Sequence, residues 1–86
     1  MTQTYCFSVQ AEACPAALPR VLDVFALYGS VPDQCYTQRA GGAGEELVIE
    51  VQMSDIDADA AERIARRLHR VVSVQGVLWS AKSSHA

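Results

Sequence analysis

Eighty-six residues suffice for one domain, near the small end of what builds its own core, and association with another subunit would add stability. Half of the residues are hydrophobic, too many for a disordered tail, and a net charge of −3 from ten acidic and seven basic side chains argues against nucleic acid as a partner. Cys6, Cys14 and Cys35 contain no C-x-x-C pair and read as reduced thiols rather than as a disulfide framework or a zinc site.

The chain starts with neither a basic segment nor a long apolar run, so no secretory signal is expected. No stretch approaches the roughly twenty apolar residues that span a bilayer. The expected protein is soluble and cytoplasmic, without membrane contact.

Tyr5, Phe7 and Val9 alternate with Cys6, Ser8 and Gln10, the period of a strand with one buried face. Leu18, Val21, Leu22, Phe25 and Tyr28 then fall on one helical stripe. Pro19 suits the first turn, where its missing N–H matters least, and Gly29 supplies the left-handed residue that ends the helix. Residues 34–39 form a weaker strand, and Ala40-Gly41-Gly42-Ala43-Gly44 reads as a hairpin loop.

Leu47, Ile49, Val51 and Met53 alternate with Val48, Glu50 and Gln52, the strongest strand pattern in the chain. A second helix begins at Ser54 or Asp57. Asp59 and Glu62 come early in it and Arg66, Arg67, His69 and Arg70 late, complementing the helix dipole at both ends. Its buried stripe is Ala61, Ile64, Ala65 and Leu68. A last strand covers residues 72–80, where Val72 and Val74 share a face with Val77 and Trp79 if Gly76 forms a bulge.

The order is therefore β-α-β twice, in halves of similar length. Right-handed crossovers close it as an α+β, ferredoxin-like βαββαβ sandwich: a four-stranded antiparallel sheet with two helices on one face. A single domain is expected over residues 1–86, with its core at about 4–81 and a tail at 82–86.

That fold hosts many functions, so the site must decide between them. Metal-carrying modules of this fold need a cysteine pair in the first loop, where Cys14 stands alone. RNA-recognition modules stack bases on strand aromatics ringed by Lys and Arg. Tyr5 and Phe7 instead share a face with Val9 as core residues do, without positive charge nearby. The segment Ser73-Val74-Gln75-Gly76-Val77-Leu78-Trp79-Ser80 resembles part of the phosphate loop of acylphosphatases. It stands in the last strand rather than the first, no helix follows it, and Ser80 takes the place of the phosphate-binding arginine.

A different resemblance covers nearly the whole chain. Pro15-Ala16-Ala17-Leu18 and Gly29-Ser30-Val31-Pro32 occupy the places of Pro-Gly-x-Leu and Gly-x-Asn-Ile in ACT domains, small regulatory modules that bind amino acids beside biosynthetic enzymes. The triplet Arg20-Val21-Leu22, the spacing of Phe25 and Gly29, and Leu68-His69-Arg70-Val71-Val72-Ser73-Val74 are most similar to the acetolactate synthase (acetohydroxyacid synthase) small regulatory subunits. The resemblance implies a homodimer that activates a thiamine-diphosphate-dependent catalytic subunit in branched-chain amino acid biosynthesis. In many members it also transmits feedback inhibition by valine.

It further implies a ligand site. The effector carboxylate would meet backbone N–H groups of Ala16, Ala17 and Leu18 in the loop that starts at Ala13, Cys14 and Pro15. The second half of the site, Gly29, Ser30, Val31 and Pro32, would come from the paired subunit. This chain departs from the family within that pocket. Ala16 replaces the glycine, Ala13 the loop asparagine of valine-sensitive small subunits, Val31 the second asparagine and Pro32 the isoleucine. Each buried polar group left without its partner costs on the order of 1–3 kcal/mol, so weak or absent valine binding is expected.

Other candidates have plainer roles. Arg63, Arg66, Arg67 and Arg70 follow one helical face as solvated side chains or as a dock for an acidic partner; His69 and His85 are exposed. Trp79 and Tyr28 pack, and Asp33 forms a turn or meets an effector ammonium. No Ser-His-Asp set, Cys-His set or paired-carboxylate cleft assembles, so the chain reads as non-catalytic and without a cofactor. The alternative is a free-standing homodimeric module that binds another small molecule or serves only as a structural dimer. A small enzyme of the same fold is the third reading.

Overall fold

The computed structural model describes residues 2–29 and 31–82. Six elements follow one another: β1 (Gln3–Glu12), α1 (Ala17–Leu27), β2 (Gln34–Ala40), β3 (Glu46–Ile56), α2 (Ala58–His69) and β4 (Val74–Ala81). The strands form one antiparallel sheet in the order β2-β3-β1-β4. This is the expected ferredoxin-like βαββαβ arrangement.

The core is the layer between sheet and helices. Tyr5, Phe7, Val9 and Ala11 on β1 and Ile49, Val51 and Met53 on β3 supply the sheet side, as their alternation requires. The α2 stripe of Ala61, Ile64, Ala65 and Leu68 is buried in full. On α1 the buried residues are Ala17, Val21, Val24 and Phe25, whereas Leu18, Leu22 and Tyr28 are only half-buried. The stripe is thus rotated toward Val24 relative to the expectation. Phe25 meets Phe7 edge to face at 5.4 Å, fastening α1 to the central strand.

The helix ends differ in how they are finished. Asp57, not Ser54, caps α2, its carboxylate accepting the Ala60 N–H at 2.8 Å. No side chain caps α1; Ala16 stands at that position in a helical conformation. Gly29 follows the last turn at φ +69, and its N–H donates to the Ala26 carbonyl at 3.0 Å, as the left-handed stop requires.

The last strand starts two residues later than expected. Val71 N–H bonds the Leu68 carbonyl and Val74 N–H bonds the Val71 carbonyl, a turn that leaves Val72 at its tip, 91% exposed. Val74 and Val77 do share the helix-facing side of β4. The extra residue responsible is Gln75, since Gln10 pairs with Gly76 while Ala11 pairs with Val74.

Candidate functional site

The two halves of the expected effector site lie at opposite ends of α1. The ten residues 19–28 separate them, about 16 Å along the helix axis. That span is too long for one amino acid to bridge within a single chain.

At the first end, the loop is held by main-chain bonds to the strands it joins. Ala13 N–H donates to Glu45 O at 2.9 Å, and Cys14 N–H to Glu12 O at 2.8 Å. These bonds aim the chain into α1 with Pro15 exposed and Ala13, Cys14 and Ala16 half-buried. Of the three expected donors, Ala17 is already committed: its N–H bonds the Cys14 carbonyl at 3.0 Å and its side chain is fully buried. The Ala16 and Leu18 N–H groups have no partner among the described residues. They are the orphan donors of a helix start, which attract a carboxylate. Alanine at positions 13 and 16 leaves them without polar side-chain help.

At the other end, Gly29 is spent on the helix stop, Val31 is 86% exposed and Pro32 is half-buried; Ser30 lies outside the described residues. Asp33 is in the turn-forming role expected of it. Its carboxylate accepts the Ser54 hydroxyl, and its N–H donates to Gln52 O at 2.8 Å, fixing the entry into β2. Neither asparagine position therefore offers a replacement anchor.

A second feature went unmarked in the sequence. The helix-free face of the sheet carries a shallow hollow of about 450 Å³, bordered by Cys6, Ser8, Tyr36, Glu50, Gln52 and Leu78. These residues alternate with core positions and read in sequence simply as the solvent side. Leu78, 70% exposed, and Tyr36, 62% exposed, are its apolar rim. Trp79 lies on the opposite, helix-facing side, beside Tyr5 at 5.8 Å and Phe7 at 6.4 Å, in the packing role expected of it. Cys6 and Cys14 are half-buried and Cys35 exposed, all as free thiols. His69 is exposed, and His85 lies outside the described residues.

The edges of the sheet are the other unsatisfied element. β2 is exposed from Gln34 to Arg39, and neither β2 before Arg39 nor β4 carries a charge. Charged or proline-bearing edges are the usual protection against strand pairing. No described helix is long and apolar enough to cross a membrane.

Comparison with known proteins bears on the fold. The profile of the ACT-like domain family matches residues 1–86. Among solved structures, the ACT domain of GTP pyrophosphokinase from Chlorobium tepidum superposes with a TM-score of 0.78 at 10% identity, over 93% of this chain and all of that one. The C-terminal domain of the MgtC protein from Mycobacterium tuberculosis gives 0.74 at 18% identity, over 96% of this chain and 90% of that one. A homoserine dehydrogenase from Thiobacillus denitrificans gives 0.76 at 12% identity, over 94% of this chain but only 17% of the enzyme. No curated protein matches by sequence.

Proposed function

Since this chain belongs to the ACT-like domain family, we propose that it is a non-catalytic regulatory module that works as a homodimer and acts on a partner enzyme. The observation that carries this reading is the start of α1. Two N–H groups stand ready for a carboxylate, yet the side chains at positions 13, 16 and 31 are all apolar. A helix start keeps its affinity for anions whatever its side chains, but selectivity for an amino acid needs further polar contacts. Valine therefore binds weakly or not at all, and the module's contribution is to stabilise and activate its partner.

The partner we propose is a thiamine-diphosphate-dependent catalytic subunit of the acetolactate synthase kind. Arg20-Val21-Leu22 and the run from Leu68 to Val74 support it, the latter ending in the turn that exposes Val72. Homodimerisation is supported by sheet edges that carry no charge but Arg39 near the end of β2, and by the separation of the two half-sites along α1. Co-purification from the native host tests the reading. The expected result is a large thiamine-diphosphate enzyme retained on the tagged chain and activated by it, with valine making little difference. Recovery of a homodimer alone overturns the partner and favours a free-standing module.

A further inference from the structure

We propose that the C-terminal half of α2 forms a binding site for a diphosphate group, separate from the loop at the start of α1. Arg63, Arg66, Arg67 and Arg70 border one open hollow of about 260 Å³, with Tyr28, just past the end of α1, at its edge. Four of the six arginines in the chain thus converge, on a molecule whose net charge is −3. Their spacing of i, i+3, i+4 and i+7 places them on one face over two turns.

Two carboxylates stand near one end of the cluster, since Arg63 also borders a neighbouring hollow with Asp55 and Asp57. Arg66 is paired with Glu62 one turn back. The side chains of Arg63, Arg67 and Arg70 make neither an ion pair nor a hydrogen bond among the described residues. Gathering guanidinium groups without ion-paired partners is unfavourable by mutual repulsion, and the carboxylates near Arg63 and the negative end of the α2 dipole offset only part of it. An anion in the hollow would remove the rest.

The arrangement also selects the kind of anion. Guanidinium groups present paired donors in a fixed fork that matches phosphate oxygens. A single phosphate reaches two neighbours on a helix face, whereas Arg63 and Arg70 are separated along the axis by about 10 Å. Two linked phosphates engage all three unpaired arginines. The same group occurs free, as inorganic pyrophosphate, or at the end of a nucleoside diphosphate, for which Tyr28 offers a ring at the wall.

Calorimetric titration of the full chain at low ionic strength tests this, with inorganic pyrophosphate, orthophosphate and ADP as probes. Pyrophosphate is expected to bind at least tenfold more tightly than orthophosphate. The double variant Arg67→Gln/Arg70→Gln is expected to lose at least tenfold, with an unchanged melting profile since both side chains are exposed. Arg20→Gln, at the other end of α1, should stay within twofold of the parent. Tighter binding of ADP than of pyrophosphate assigns the nucleotide as the source, and equal or weaker binding assigns the free ion. Less than a tenfold preference over orthophosphate, or affinity retained by the double variant, overturns the site.

Discussion

Met53 and Ile56 lie three residues apart on β3, yet both side chains enter the core. Strict alternation forbids this. The chain manages it by setting Ser54 and Asp55 together opposite Thr4, so that Gln3 pairs with Ile56 while Tyr5 pairs with Met53. Asp55 carries the distortion at φ +60. Its conformation is sterically unfavourable for a residue with a Cβ, though aspartate tolerates it better than most.

That strain is measurable. Asp55→Gly should raise stability in urea denaturation by up to about 1 kcal/mol, because glycine adopts positive φ freely. Asp55→Val should lower it by about 1–2 kcal/mol, since a β-branched side chain fits the left-handed region worst. Equal stabilities for the two variants would mean that the residue does not hold this conformation.

Ser73 presents a different cost. It is 9% exposed, its carbonyl accepts the Glu12 N–H at 2.8 Å, and its hydroxyl has no partner among the described residues. An unsatisfied buried hydroxyl costs about 1–3 kcal/mol. Ser73→Ala keeps the main-chain bond and removes the orphan, so the thermal midpoint should rise or hold. A clear fall would show that the hydroxyl has a partner in solution.

The hairpin between β2 and β3 links charge to acid stability. The Glu45 carboxylate accepts the Ala43 N–H at 2.8 Å, and bonds from the main chain at Glu45 and Ala43 hold its pKa below the ordinary carboxylate value. A depressed folded pKa contributes stability that is complete above the unfolded value and lost as pH falls through the folded one. The Glu45 carboxyl should therefore titrate, by NMR, below the same group in an unstructured peptide of residues 41–45. Glu45→Gln should lessen the loss of stability on acidification, by a small amount because the group is exposed. An unshifted titration would sink the assignment.

The elements were legible because burial imposes a period on each. Alternation along β1 and β3 and the α2 stripe could be read directly, and Asp57 and Gly29 mark helix boundaries through chemistry that is local to them. The distortions were less accessible. Asp55 is not a glycine, and nothing about it in sequence signals a bulge. Gly76 does suggest one, but the extra residue is its neighbour Gln75, because register is set by the partner strand. Val72 looks like strand and is turn, its placement decided by the Leu68 and Val71 carbonyls. For the candidate site, residue identities could be aligned with the family, whereas the engagement of the Ala17 N–H with Cys14 follows only from the folded main chain. The arginine hollow needs Tyr28 from the other helix, a proximity that spacing along α2 cannot reveal.

If the amino acid site is lost through its side chains and not through its backbone, it should be recoverable. Ala13 and Ala16 are half-buried beside the free N–H groups, and Val31 is 86% exposed, so none of the three is locked into the core. Ala16→Gly would remove the methyl group from the helix start at little cost to capping, where glycine is the better residue. Ala13→Asn and Val31→Asn would supply polar partners worth on the order of 1–3 kcal/mol each where water is excluded. The combined variant should show a rise in melting temperature with excess valine, and the parent chain little or none, since a ligand at free concentration L stabilises by RT ln(1 + L/Kd). A comparable rise in the parent would show that the existing N–H groups suffice. No rise in the variant would place the loss in the backbone, with the committed Ala17 N–H the first place to look.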